Sequence, residues 1–438
     1  MFRFNPASAP DYDPSLSIPR VDDDLTNAMP AVGILHAYMA WVVPTTHAPP
    51  LYHLGAILPG FAYEVARRGI RIRGPDGSDG DLPRVWTCLV GGSASGKSTA
   101  HNSAQDFVRD WQKTILGQGY IDPYLHLDGS MPGILAASTG YYREGVGATV
   151  AVYETDEMTK ILSQLDSVAE TLIKIFDGRT ITRQLRQFQV AKAAGEKVND
   201  TVKSPAISAS FATVPASLER VTQSYHLEGG LFGRILWFKG ALKPEELQPR
   251  RTARTAARTA ALAEWQGWTG WLDGLTALGT PLVVQVPGAV YQLLDDELFG
   301  KWRELLVNDR DRVNSARMRA MPYAETIAGL YALSRGQLVV DDDDAVRAIN
   351  LVEACVGALM GIDATVAVDA GKKLRERVLT VLKASGGACS KTVLYNQTGA
   401  SKMELDMALG TLVDSGVIER IATQNKGPGR KAEFYRVV

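Results

Sequence analysis

The eight residues "GGSASGKS", Gly91 to Ser98, lie between the apolar run "RVWTCLV" and the segment "STAHNSAQDFVRDWQKTI". The run mixes β-branched and aromatic residues and reads as a buried strand, while the segment after it reads as a helix. A glycine-rich turn in that context lets backbone N–H groups curl around phosphate oxygens at the positive end of a helix. It commits the chain to a strand covered by helices, and so to an α/β architecture. By this spacing Lys97 reaches the β- and γ-phosphates of a nucleotide and the Ser98 hydroxyl ligates Mg²⁺. Gly91, Gly92, Ser93, Ala94, Ser95, Gly96 and Thr99 complete the expected cradle.

Beyond the loop, strand and helix patterns alternate. "ATVAVYETDE", "SPAISASFATVP" and "GRILWFKG" read as strands, and "MTKILSQLDSVAETLIKIF" as a helix. Alternation of this kind predicts a mostly parallel sheet. We divide the chain into an extended arm (1–24), a helical N-terminal region (25–80), a phosphate-loop core (81–245), a largely helical part (246–368) and a C-terminal module (372–438).

A nucleotide hydrolase of this kind needs one acid for Mg²⁺ and another to orient the attacking water. "TVAVYETDEM" supplies Asp156 for the metal and Glu157 for the water, directly after an apolar strand. Glu154 is a rival, and a solvated acidic strand end is the plain alternative. Thr213 ends the next strand, before Pro215, where a polar residue can stand between the acids and the γ-phosphate. Arg234 lies between glycines and an apolar strand in "EGGLFGRILWF". It reads as either a surface arginine or a finger that stabilises transition-state charge in a neighbouring subunit's site.

Composition narrows the class without naming a partner. The 47 basic and 48 acidic residues nearly cancel. Three cysteines without a CxxC pair and six scattered histidines argue against a disulfide framework and a zinc site. The first residues lack the pattern of a signal peptide, and "AMPAVGILHAYMAWVVP" is too short to span a bilayer comfortably. A soluble, cytoplasmic protein is the expectation.

The C-terminal module predicts helix, helix, helix, hairpin. "KLRERVLTVLKAS" has one apolar face, Ser390 and Ser401 can cap the next two helices, and Gly416 ends the last. "VIERIATQ" and "EFYRVV" flank the turn "NKGPGRKA". Twelve basic residues face six acidic ones, which suits a phosphate-backbone binder. Lys402 on the third helix and Lys426, Arg430 and Lys431 at the hairpin tip are the candidate DNA contacts, although Glu404 and Asp406 weaken base readout. A protein-binding module is the alternative. A second basic stretch offers Arg179, Arg183, Arg186 and Lys192 as pore residues for nucleic acid, or as solvated loop charge. Trp265, Trp268 and Trp271 stand at helical spacing and read as core, and Asp341 to Asp344 as a helix cap.

The segments "APPLYHLGAIL", "LVGGSASGKST", "DGSMPGILAA", "VYETDEMTKIL", "IFDGRTITR", "ASFATVP" and "GGLFGRILWF" occur in an order that resembles a family of phage, plasmid and prophage P-loop proteins described as helicase-like. The stretch "ARMRAMPYAETIAGLYAL" with "VDDDDAVRAINLVEA" is similar to the helical lid of AAA+ motors, minichromosome-maintenance helicases above all. The resemblance implies a P-loop NTPase core of AAA+ type with a helical lid and a C-terminal winged helix. It also implies ATP and Mg²⁺ as cofactors, a homo-oligomeric ring such as a hexamer, and DNA as partner. On it, Arg317 or Arg319 would sense the γ-phosphate. Where that family carries glutamine, and minichromosome-maintenance proteins asparagine, this chain has Thr213. The implied activity is DNA translocation or unwinding in a mobile element's replication. The alternative is a nucleotide-switched origin binder or helicase loader.

Overall fold

A computed structural model describes residues 25–76, 78–127, 131–162, 166–184, 199–221, 230–240, 254–277, 281–306, 314–400, 402–422 and 433–437. The expected arm, 1–24, lies outside them. The chain forms two compact units, Met1–Met360 and Gly361–Val438.

The first unit is built on five parallel strands: β1 (Trp86–Val90), β2 (Tyr124–His126), β3 (Val152–Thr155), β4 (Ser208–Thr213) and β5 (Leu236–Lys239). Their order across the sheet is β5-β1-β4-β3-β2. Trp86 stands level with Ala209 and Val90 with Thr213, so β1 and β4 end together. Thr155 is level with Phe211, two residues short of the end of β4. Every residue of β1, β3 and β4 is buried, which is why these strands read as continuous apolar runs rather than alternating ones. The parallel α/β sheet expected from alternation is present. β2 was not foreseen, because it is only three residues long and its outer end faces solvent.

Helices α2 (Pro50–Ala66) and α3 (Lys97–Leu116) pack on the sheet, α1 (Ile34–Val42) and α5 (Arg254–Thr276) pack on each other and on those helices, and α4 (Asp166–Phe176) sets Phe176 edge-on to Trp86 of β1. Of the helix expected over Met158–Phe176, the described residues Met158–Leu162 and α4 are helical. α2 is almost wholly buried and lies against β1, β4 and β5. An aromatic cluster joins α1, α2, α3 and α5: Trp41 stacks on Phe107, and Trp265 meets Phe61, Phe107 and Trp111 edge-on. The indoles of Trp265 and Trp268 donate to Ile34 O (2.8 Å) and Leu333 O (2.7 Å). Trp265 and Trp268 are core as expected, whereas Trp271 is only half-buried; truncating Trp265 to alanine costs about 3–5 kcal/mol.

The expected helical part contains α6 (Asn314–Ser334) and the long α7 (Asp342–Ala384). A short strand, Val283–Gln285, interrupts it and pairs in parallel with Arg71–Arg73. Asp341 caps α7 by accepting the Asp344 N–H at 2.9 Å, and the buried Asp344 pairs with Arg335. The acidic run is thus a helix start. Asp342–Ile362 has the length and hydropathy of a membrane span, and 56% of its apolar window is buried inside the protein.

In the second unit the last turns of α7 pack with α8 (Lys391–Thr398) and α9 (Lys402–Asp414) around Val378, Leu382, Leu394, Leu405 and Leu409. Ser390 caps α8, accepting the Val393 N–H at 3.3 Å. Strands β6 (Ala388–Ser390), β7 (Ile418–Ala422) and β8 (Glu433–Val437) form an antiparallel sheet with β8 central. β6 was not expected. Ser401, the proposed cap of α9, lies outside the described residues.

Candidate phosphate-binding site

The chain leaves β1 at Val90, turns through Gly91–Gly96 and enters α3 at Lys97. Ala94 (φ 62°) and Gly96 (φ 90°) take the left-handed conformation that bends the loop. A Cβ on Gly96 would lie 2.7 Å from Ala48 Cα, so a larger residue has no room there. At Gly91 a Cβ would strike the Tyr52 hydroxyl at 2.1 Å. That hydroxyl, from α2, sits 2.6 Å from Val90 O and 2.7 Å from Gly240 O, tying the ends of β1 and β5 together under the loop. Sequence spacing gave no signal for Tyr52, whose role depends on α2 lying across the sheet.

Lys97 folds back onto the loop. Its Nζ donates to Gly91 O (2.6 Å), Gly92 O (2.7 Å) and Ser95 Oγ (3.3 Å). Burial pushes its pKa down, and the charge of Glu157 opposes that shift. Gly92, Ser93, Ala94, Ser98 and Thr99 are exposed. The first turn of α3 carries no acid, so nothing in it neutralises the helix's positive end.

The acids separate clearly. Glu157 Oε1 accepts from Thr213 Oγ1 (3.2 Å) and from Thr159 Oγ1 (2.5 Å). Glu157, Thr213 and Lys97 therefore gather where β1, β3 and β4 end. Asp156 is next to them, with its side chain 80% exposed. His101, one turn into α3, holds its carboxyl below the usual carboxylate range, with Nδ1 3.9 Å from Oδ1. The other ring nitrogen, Nε2, meets Ser210 Oγ at 2.8 Å.

Glu154 faces another way. It is 3% exposed and contacts Gln105, His126 Nδ1 (2.7 Å) and Arg109 (3.8 Å). Burial pushes its pKa up, opposed by His126 and Arg109. It ties β3 to β2 and α3 rather than to the loop.

Arg234 is placed at the other end of the sheet. It precedes β5, whose Leu236 is level with Thr87, so it stands near the start of β1. Four to six residues of strand, about 15–20 Å, separate it from the loop. Its guanidinium is 7% exposed and grips Asp177 in two parallel bonds, Nε to Oδ1 and Nη2 to Oδ2, both 2.9 Å. Nη1 donates to Gly230 O at 2.8 Å. Removing one partner of such a buried pair costs on the order of 3 kcal/mol. Sequence reasoning singled out Arg234 but not Asp177, although "IFDGRTITR" contains it.

Arg319 joins this end, not the loop. Its Nη1 donates to Ser315 O (3.0 Å), and burial and nearby Arg234 push its pKa down. Arg317 is buried, donating to Asn314 Oδ1 (3.0 Å) and meeting Met360 Sδ (3.8 Å). Arg179 is exposed, 3.8 Å from Asp177. Arg84, held down by burial and opposed by Asp81 and Asp177, completes the group. Within one chain, then, no described arginine of this cluster is brought to Lys97.

Arg183 lies on the antiparallel pair Ile181–Gln184 and Asn199–Val202. Arg186 and Lys192 are outside the described residues, as are Lys426, Arg430 and Lys431. Lys402 is exposed at the first turn of α9. Among the described residues no cluster of three His, Cys, Asp or Glu side chains could hold a metal by itself. No protein-family model and no curated protein matches this chain.

Proposed function

We propose that the protein is a Mg²⁺-dependent ATPase of the AAA+ type that works as an oligomeric ring and moves along, or unwinds, DNA in the replication of a mobile element. The observation that carries the ATPase reading is the meeting of Lys97, Glu157 and Thr213 at one edge of the sheet, beside an acid-free helix start. The strand order, with the loop after a strand next to the sheet's edge and the acids two strands away, supports a P-loop core.

The donor set fits a nucleotide with its metal. Backbone N–H groups of the loop and Lys97 would hold phosphate, and Ser98 and Asp156 would hold Mg²⁺, which supplies charge neutralisation on the phosphates when bound. Lys97 must exchange its loop carbonyls for phosphate oxygens. Glu157 would orient and polarise the attacking water, with Thr213 fixing the carboxylate. Arg234 and Arg319, too far from their own loop, would serve a neighbour's site, where positive charge stabilises the transferring phosphoryl group.

The DNA half of the proposal rests on the second unit. Three helices and a three-stranded antiparallel sheet suit a winged helix, and the twelve basic residues against six acidic ones over 372–438 suit a phosphate backbone. The test is the ATPase rate of the full chain with and without single- and double-stranded DNA, together with its mass in nucleotide. Stimulated turnover in a ring is expected. Tight duplex binding with negligible turnover would replace the motor by the nucleotide-switched initiator or loader.

A further inference from the structure

One turn into α3, His101 is almost wholly buried, and a buried imidazole needs a partner for each ring nitrogen. Nε2 has one, the hydroxyl of Ser210 at 2.8 Å. Ser210 lies within β4, level with Thr87 of β1 and Glu154 of β3, so the ring is anchored to a strand paired on both sides. Nδ1 has no partner within hydrogen-bond reach. The carboxyl of Asp156 stands 3.9 Å from it, and among the described residues no other carboxylate comes within 4 Å. Glu154 is already occupied by Gln105 and His126. Asp156 is exposed, so its carboxyl is free to rotate and close the gap to Nδ1.

Charge decides the tautomer. With the proton on Nε2, the bare lone pair of Nδ1 would face a carboxylate and repel it. With the proton on Nδ1, the Ser210 hydroxyl donates to Nε2 and Nδ1–H is directed at Asp156. The carboxyl pKa of Asp156, lowered first of all by His101, agrees with an N–H donor on that side.

We propose that His101 is a positioning residue for Asp156: anchored on β4 by Ser210, it gives Nδ1–H to one carboxyl oxygen and leaves the other for the Mg²⁺ of a bound nucleotide. The proposal rests on the Mg²⁺-nucleotide reading of the loop. His101 acts through the aspartate rather than on the nucleotide. Without it an exposed carboxylate samples its rotamers freely and must lose that freedom on meeting the ion. Groups that orient a metal's ligands in this way are worth about 10–100-fold in metal affinity. His101 also follows Ser98 by three residues on α3, so a single turn carries one proposed ligand and the group that aims the other.

Calorimetric binding of adenylyl imidodiphosphate, a non-hydrolysable ATP analogue, to the full chain in Mg²⁺ and in EDTA tests this. Asparagine places an amide N–H where Nδ1–H stands and glutamine places one where Nε2 stands, so the two substitutions separate the two ends of the ring. For the unaltered protein Mg²⁺ should tighten binding by more than about tenfold. His101→Gln should weaken binding about tenfold in Mg²⁺ and stay within about twofold in EDTA, whereas His101→Asn should recover most of the loss. Added to Asp156→Ala, His101→Gln should change nothing further. Equal losses in Mg²⁺ and EDTA would make the ring a support of the loop and overturn the proposal. So would His101→Gln binding like the unaltered protein, or losses that add to those of Asp156→Ala. Equal binding of the unaltered protein in Mg²⁺ and EDTA removes the metal from the site and the proposal with it, while the loop reading survives. No binding at all removes the nucleotide reading itself. A histidine-selective ¹⁵N spectrum of the unaltered protein needs no variant to fold. The ring that Mn²⁺ with the same analogue broadens most should carry its proton on Nδ1, and a proton on Nε2 overturns the proposal.

Discussion

At the carboxyl ends of β1, β3 and β4, one lysine, one glutamate and one threonine face an open helix start, whereas at the amino ends of β1 and β5 Arg84, Arg234 and Arg319 gather around Asp177, with Asp81 also beside Arg84. The first end is short of positive charge for a triphosphate. The second sets its guanidinium groups against Asp177 and Asp81, and the bidentate bonds of Asp177 hold Arg234 still. Parallel strands of this length keep the two ends apart, so neither can complete the other within one chain. Side by side in a ring, complementary ends of this kind would meet. That geometry is what makes assembly an integral part of the proposed chemistry.

The largest effect expected from breaking this comparison is at Lys97. Lys97→Ala should weaken ATP binding by at least a hundredfold in an equilibrium titration, while Arg234→Ala should leave binding within a few-fold and lose turnover. Mixing the two inactive proteins should restore part of the rate, because a ring then contains sites with both halves intact. Loss of nucleotide affinity in monomeric Arg234→Ala would show that the ends are not separate.

A second contrast lies within one strand. Glu157→Gln should bind ATP normally and hydrolyse it about a hundredfold or more slowly, since the group that polarises water is gone. Glu154→Gln should keep most of the rate, because its carboxyl is occupied by Gln105 and His126. Single-turnover assays that found the reverse would reassign the catalytic acid.

The smallest effect sharpens the arginine end. Glu325 lines a space of about 140 Å³ with Arg84 and Arg319, and burial, with Asp76 and Asp81, lifts its pKa to about 7. The folded value is above the unfolded one, so the stability this neutral group contributes is present below about 4.5 and is lost as pH rises through 7. Thermal melts should therefore show Glu325→Gln gaining on the unaltered protein between pH 5 and 8, by about 2–3 kcal/mol at most. A constant difference across that range would mean that Glu325 is not titrating there.

Much of this is legible in the sequence. The strand–loop–helix around Gly91, the apolar strands β1, β3, β4 and β5, the Ser390 cap and the core tryptophans follow from local pattern. These are regularities of a few neighbouring residues, set by backbone sterics and by burial on both faces of a strand. The three-residue pairings were not legible, because β2, β6 and Arg71–Arg73 are too short to show a period and exist only through their partners.

The choice between Glu154 and Glu157 was open for the same reason. Two carboxylates three residues apart share one sequence context, and only the packing of α3 sends the first to Gln105 and the turn after β3 sends the second to Thr213. Sequence alone determined that a glycine-rich loop runs from a buried strand into a helix at Lys97, and which residue types attend it. Tertiary structure decided which of them stand together, because parallel pairing sets residues distant in the chain level with one another. It also set Arg234 and Asp177 at the far end, where a guanidinium and a carboxylate 57 residues apart satisfy each other away from water.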